Sequence, residues 1–324
     1  MYKPAVNYSV ISSSDLHSMI NELYNLGNIV ECRFLCNGLN DTYLITTHES
    51  KYILRIYKTN WRNKSDIDFE IELLGYLISK GIPVSYSLPK KDGNFITEIE
   101  APEGQRFAVL FTYAEGDFLD NKESALLYGE QVAKMHLAMD TFECNHNRFS
   151  IDLDHLLTNP IHSIKSVFSD RAEDIAYLES LALLLQKRVE NISHGLEWGV
   201  CHGDLHGWNV HFYNDTLTHF DFDCGGYGWR AYDLSVFLWS RVRGRTKERF
   251  KNESWSIFLE SYLKIKPLSD VDLASISTFV AIREIWLMGL HTGNSEVWGA
   301  NNYGDHISGN LKFLKEWCEE NDIN

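Results

Sequence analysis

The feature that most constrains the fold is a change of hydrophobic period partway along the chain. The runs IVECRFLC, TYLITT and KYILRIY alternate apolar and polar residues between Gly, Asn and Asp turn signals, and read as three strands behind an opening helix at about 13–26. KSDIDFEIELLGYLISKG then switches to a helical stripe of Ile67, Ile71, Leu74, Leu77 and Ile78, closed by Gly81 and Pro83. NFITEIE and RFAVLFTY return to strand character. From about Ser124 helices take over, at 122–140, 171–193, 229–242, 246–264, 270–292 and 302–321. The exceptions, VHFY (210–213) and LTHFDF (217–222), form a hairpin with Asn-Asp at its turn, on which His211 and His219 are expected to face each other.

An antiparallel sheet with one key helix, followed by a mainly helical part, is an α+β architecture of two lobes. The expected division is residues 1–112 as the N-terminal lobe, 113–120 as a hinge holding Gly116 and acidic residues, and 121–324 as the helical lobe. Ligands favour clefts between such lobes.

Composition excludes several classes. A formal charge of −15 over 324 residues repels a phosphate backbone, so no nucleic-acid partner is expected. The basic run RVRGRTKERFK (241–251) reads as a solvated helix start. The cysteines are scattered without a C-x-x-C, as in a reduced cytoplasmic protein. No signal peptide is visible, and the longest aliphatic run, LALLL (181–185), is too short to span a bilayer, so no membrane is expected. A monomer or homodimer is expected.

The densest chemistry lies in CHGDLHGWNVHFYNDTLTHFDFDC (201–224). One reading is a metal-dependent hydrolase on His202, Asp204 and His206, although the flanking Gly203 and Gly207 argue for a loop and no second His/carboxylate cluster completes a zinc shell. The other is phosphoryl transfer, which needs a carboxylate near the attacking hydroxyl and oxygen ligands for Mg²⁺. Asp204 and Asn209 on one loop, with Asp221 returning after the hairpin, supply that set in the order that protein kinases use.

CHGDLHGWNVHF followed by THFDFDCGGYGWRAYDLSVF resembles the aminoglycoside phosphotransferase, choline kinase and type II homoserine kinase superfamily, whose pattern is H-G-D-x-x-x-x-N, an Asp between apolar residues, and a later Asp-Leu. The resemblance implies a protein-kinase-like fold and a kinase using ATP (or GTP) and Mg²⁺ on a small-molecule hydroxyl. It implies Asp204 as base or hydroxyl orienter, Asn209 and Asp221 as Mg²⁺ ligands, and Asp233 as a brace for the loop. His206 stands where it either contacts phosphate or packs the loop. Asn37, Gly38 and Asn40 fall on the phosphate-covering turn, which reads equally well as an ordinary hairpin turn. Arg55 stands where the family carries a phosphate-binding Lys; Glu70, favoured over Glu72, matches the glutamate that pairs with that cation. Phe111, Thr112 and Tyr113 fall where main chain receives the base. Arg in place of Lys also leaves room for a nucleotide-binding regulatory pseudokinase.

For the acceptor, the segment 283–306 carries Arg283, Glu284, Trp286 and His291 on a helix and Trp298 and Tyr303 on a Gly/Asn-rich loop, with Glu284, Trp286, His291 and Trp298 as the aromatic and acidic groups suited to an amino alcohol, amino acid, sugar or aminoglycoside. Asp223 is a further candidate on that side. Plain helix–loop–helix packing explains the same segment.

Overall fold

A computed structural model describes residues 2, 4–243, 253–299 and 303–324, with the side chains of 303–306 left aside. These residues pack as two compact units: Met1–Asp117 with Phe142–Arg148 and Val210–Asp223, and Phe118–Thr141 with Phe149–Asn209 and Cys224–Asn324. The mixed α+β class expected from the sequence is what the chain adopts.

The first unit holds α1 (Ser13–Leu23), β1 (Ile29–Asn37), β2 (Asn40–Thr47), β3 (Lys51–Tyr57), α2 (Lys64–Ser79), β4 (Thr97–Ala101) and β5 (Gly104–Thr112). The five strands form an antiparallel sheet in the order β1-β2-β3-β5-β4. The alternation of these runs turns Tyr43, Ile45, Leu54, Ile56, Ala108 and Leu110 to one face, where they close over Leu16 and Ile20 of α1. Asn63 caps α2 in a reciprocal capping box with Asp66. The buried face of α2 is Ile67, Phe69, Glu70, Leu73, Leu74 and Leu77. Ile78, expected in the stripe, is instead 39% exposed, because the helix turns Phe69 and Leu73 inward.

The hairpin of β8 (Val210–Tyr213) and β9 (Thr216–His219) belongs to this unit. Asn214 and Asp215 both take positive φ (45° and 61°), as a two-residue hairpin turn requires. The register pairs Val210 with His219 and His211 with Thr218, so the two histidines do not face each other as expected. His211 Nδ1 meets Ala114 O at 2.7 Å. Phe212 and Asp117 exchange main-chain hydrogen bonds, and Gly116 (φ 95°) has no room for a Cβ against the Phe212 carbonyl.

The second unit is built from α3 (Lys122–Met139), β6 (Ser150–Ile151), α4 (Asn159–Val167), α5 (Ala172–Ile192), β7 (Trp198–Cys201), β10 (Gly226–Trp229), α6 (Arg230–Val242), α7 (Glu253–Leu263), α8 (Asp270–Gly293), α9 (Ser295–Trp298) and α10 (Tyr303–Glu320). β10 lies between β6 and β7, parallel to the first and antiparallel to the second. Asn121 and Ser269 cap α3 and α8 with capping boxes. Helix α8 is long and apolar enough to cross a membrane by composition, unlike LALLL, yet 72% of its apolar window is buried inside the protein, as in a core helix.

The basic run departs from expectation where it is described. Arg241 is buried and pairs with Asp120 at 2.7 Å, and the half-buried Arg243 bonds Glu284, so both charges are paired within the fold. Residues 244–251 of that run, the expected helix start at 246 and residues 300–302 lie outside the described residues.

Candidate active site

In the second unit the loop after β7 is fixed from below by Asp233. Its Oδ2 accepts the His202 N–H at 2.7 Å and its Oδ1 the Gly203 N–H at 2.8 Å, the bracing expected of it. Asp233 in turn meets His136 Nε2 at 3.0 Å. Gly203 (φ 78°) packs so tightly on the Cys224 carbonyl that a Cβ would overlap it, which explains the glycine of H-G-D.

This brace presents Asp204. Asn209 Nδ2 donates to Asp204 O and Oδ2, both at 3.0 Å, so the open oxygen of the amide is Oδ1. His206 Nδ1 accepts the Trp208 N–H at 3.2 Å, which puts its proton on Nε2, 3.2 Å from Asp204 Oδ2. Arg283 Nη2, from α8, donates to Asp204 Oδ1. Burial pushes the Asp204 carboxyl up, but His206 and Arg283 beside it hold it well below the usual carboxylate range. It is therefore ionised at neutral pH and a weak proton acceptor.

In the first unit Arg55 Nη1 donates to Glu70 Oε1 at 2.6 Å and Nη2 to Asp221 Oδ1 at 2.9 Å. Tyr57 Oη donates to Glu70 Oε2 at 2.8 Å, and Phe111 lies under the guanidinium at 4.8 Å. Glu70, not Glu72, is the partner; Glu72 instead contacts Cys144 and His146. Asp221 sits just past β9 with φ 67° and a side chain 45% exposed, so it presents oxygen to solvent.

Asp223 points elsewhere. Its carboxylate accepts Asn40 Nδ2 at 2.8 Å, Trp61 Nε1 at 2.6 Å and Arg62 Nε at 2.9 Å, while its carbonyl accepts Arg148 Nη2 at 2.6 Å. Burial pushes this carboxyl up; Arg62, Arg55 and Trp61 bring it down to about 2. It is a buried clamp, not the substrate contact expected.

Other expected site residues are likewise occupied. Gly38 N–H bonds Asn40 O at 3.0 Å and Gly38 O accepts Lys58 Nζ at 2.6 Å, so residues 37–40 form a tight hairpin turn. Thr112 donates its N–H to Tyr86 O at 2.9 Å, and its carbonyl accepts Ser85 Oγ. Phe111 is paired within the sheet, which leaves Tyr113 as the main-chain candidate of the three. Glu284 is fully buried on Trp239 Nε1 and Arg243, Trp286 Nε1 donates to His155 Nε2 at 3.1 Å, and His291 stacks edge-on against Trp298 at 5.7 Å. None of these four reaches Asp204. Arg283 does: the sequence places it on the acceptor-side helix but not on Asp204, and the signal for it is a charge inside the apolar run FVAIREIWLMG of α8.

Among the described residues no group of three or more His, Cys, Asp or Glu is placed to hold a metal ion, and His202 is buried with Nδ1 accepting the Asp204 N–H at 3.3 Å. The imidazole cluster of the hydrolase reading does not form.

The family model described as the phosphotransferase enzyme family (APH) matches residues 34–266. The chain belongs to that family. This phosphotransferase is 37% identical over 316 residues to a Deinococcus radiodurans protein of unassigned role, covering 96% of this chain and 92% of the relative. It is 28% identical over 280 residues to a homoserine kinase of Agrobacterium fabrum, covering 83% and 81%. Its fold matches that of a microcompartment-associated aminopropanol kinase with a TM-score of 0.79 at 21% identity, over 96% and 99% of the two chains. It also matches an amicoumacin kinase, solved with AMP-PNP, Ca²⁺ and amicoumacin, with a TM-score of 0.75 at 21% identity over 94% of each. The phosphotransferase thus has the protein-kinase-like fold and is a kinase of the small-molecule kind.

Proposed function

We propose that this kinase transfers the γ-phosphate of ATP (or GTP) directly to the hydroxyl of a small amino alcohol or hydroxy amino acid, with sugars and aminoglycosides as the wider class. The observation that carries the reading is the geometry of the Asp204 carboxylate, gripped on Oδ1 by Arg283 and on Oδ2 by Asn209 and His206. A carboxylate so held orients a hydroxyl hydrogen bond better than it removes a proton. The acceptor oxygen bonds to the γ-phosphorus as the bond to the β–γ bridging oxygen breaks. The nucleoside diphosphate leaves with that oxygen, and the hydroxyl proton, oriented by Asp204, is released to solvent water late in transfer.

By the resemblance, Asn209 and Asp221 are the residues that would hold Mg²⁺, and the amide and carboxylate oxygens they carry are hard ligands of the kind that ion takes. Such an ion would neutralise phosphate charge. Arg55, already paired with Glu70, takes the place of the family's lysine at the phosphates, and a guanidinium suits phosphate oxygens. The amino-alcohol class is supported by the relatives, which include a homoserine kinase and an aminopropanol kinase. The intact Asp204, Asn209 and Asp221 set favours turnover over a regulatory pseudokinase. Free cysteines accord with a cytoplasmic setting.

The test is a γ-phosphate transfer screen with Mg·ATP and Mg·GTP over ethanolamine, aminopropanol, homoserine, choline, sugars and aminoglycosides. Transfer to a hydroxyl of one class is expected. Tight Mg·ATP binding with no transfer to any of them would sink the reading.

A further inference from the structure

We infer that Arg283 is a positioning residue of the transfer reaction: caged by Trp239 and Trp286, it sets the direction in which the Asp204 carboxylate meets the acceptor. The inference rests on the proposed role of Asp204. Arg283 sits in the apolar middle of α8 and is 2% exposed. Burying a guanidinium is costly, and an apolar side chain of similar volume serves stability as well or better. A charge at this depth that points at the carboxylate proposed to orient the acceptor therefore calls for a role beyond packing.

The geometry shows what it holds. Nη2 donates to Asp204 Oδ1, and Nη1 lies 3.4 Å from Gly203 O and 3.3 Å from Tyr232 Oη. One guanidinium thus grips the side chain of Asp204 and the backbone just before it. The guanidinium carbon lies 4.3 Å from the Trp286 ring centroid and 5.2 Å from that of Trp239. Each indole is pinned at its edge, Trp286 Nε1 on His155 and Trp239 Nε1 on Glu284, so their faces stay on the arginine. With Asn209 and His206 on Oδ2, donors on both oxygens fix the carboxylate plane.

A consequence separates this role from substrate binding. The Trp286 face that would receive a cationic acceptor is already turned to Arg283. Trp286 therefore acts on the rate through Arg283 and not on acceptor affinity.

The experiment compares wild type, Arg283→Lys, Arg283→Met, Trp286→Leu and Asp204→Asn/Arg283→Lys. The probe is Mg·ATP with ethanolamine, aminopropanol, homoserine or water as acceptor, and the readouts are kcat, acceptor KM, nucleotide Kd and Tm. A misplacement of about 1 Å costs on the order of 10²-fold in rate, so Arg283→Met should lower kcat by about that factor with KM and Kd within about threefold. Arg283→Lys should recover about tenfold of it, and Trp286→Leu should lower kcat at constant KM. Arg283→Lys should cost nothing further in the Asp204→Asn background. If Arg283→Met does not fold, Arg283→Lys and Trp286→Leu carry the test alone. Unchanged kcat in a folded Arg283 variant, a Trp286→Leu effect on acceptor KM alone, or additive losses in the double variant overturn the inference while wild-type transfer stands. Wild type that transfers to no acceptor, water included, overturns the assigned activity and this role with it.

Discussion

Arg55 and Glu70 form a buried ion pair, Nη1 to Oε1 at 2.6 Å, where the resemblance read in the sequence leads one to expect a lysine and a glutamate. Glu70 is 1% exposed and its second oxygen is held by Tyr57. Burial pushes the guanidinium down, yet Glu70, Tyr57 and Asp221 together raise it well above its ordinary value, so the cation is permanent.

Removing one partner strands the other. Arg55→Met should lower unfolding free energy by about 3–5 kcal/mol and weaken Mg·ATP binding at least tenfold. Arg55→Lys should keep most of both, since a lysine reaches Glu70 with a single donor. Urea denaturation and nucleotide titration check both outcomes; full-strength nucleotide binding by a folded Arg55→Met contradicts the phosphate role.

Asp223 ties the turn at Asn40 to the segment that carries Asp221, and Arg62 and Arg148 close on it. Asp223→Ala should cost about 3–5 kcal/mol by leaving Arg62 buried without its carboxylate. Because its oxygens are committed inside the fold, Asp223→Asn should leave the Mg²⁺ concentration for half-maximal activity nearly unchanged. A large rise in that concentration at unchanged Tm would make Asp223 a metal ligand instead.

His136 gives the protein an acid limit. Burial first, and Arg230 beside it, depress its imidazole from the ordinary 6.5 to about 4. The unfolded chain therefore binds a proton between pH 6.5 and 4 that the folded chain refuses, so stability is full above 6.5 and falls as pH drops through this window. The gap corresponds to roughly 3 kcal/mol. Asp233, depressed despite its burial by the His136 hydrogen bond, adds loss in the same direction at lower pH. Urea midpoints at pH 7.5, 5.5 and 4.5 should fall steadily in wild type and less steeply in His136→Gln; parallel curves contradict the assignment.

Legibility in the sequence followed the physics of each element. β1 to β3 could be read because alternation and turn residues act locally, and Glu70 could be chosen because helical spacing decides which of two glutamates turns inward. The α2 stripe was misread at Ile78, since period alone does not reveal that Phe69 and Leu73 are the inward residues. β10, GYGW, has two glycines and no strand pattern, and its pairing to β6 and β7 is made entirely by distant partners. The acceptor-side guesses Glu284 and Trp286 had the right chemistry for a ligand, but Arg243, Trp239 and His155 already occupy them. The Arg283 grip on Asp204 joins residues 79 apart, a contact no local pattern encodes.

The most direct test is Asp204→Ala, assayed with Mg·ATP and the best acceptor of the screen beside wild type. The account predicts that kcat falls by at least about 10³-fold while Mg·ATP still binds within a few fold of wild type, because Arg55 and Asp221 are untouched. An Asp204→Ala protein that turns over at the wild-type rate contradicts it.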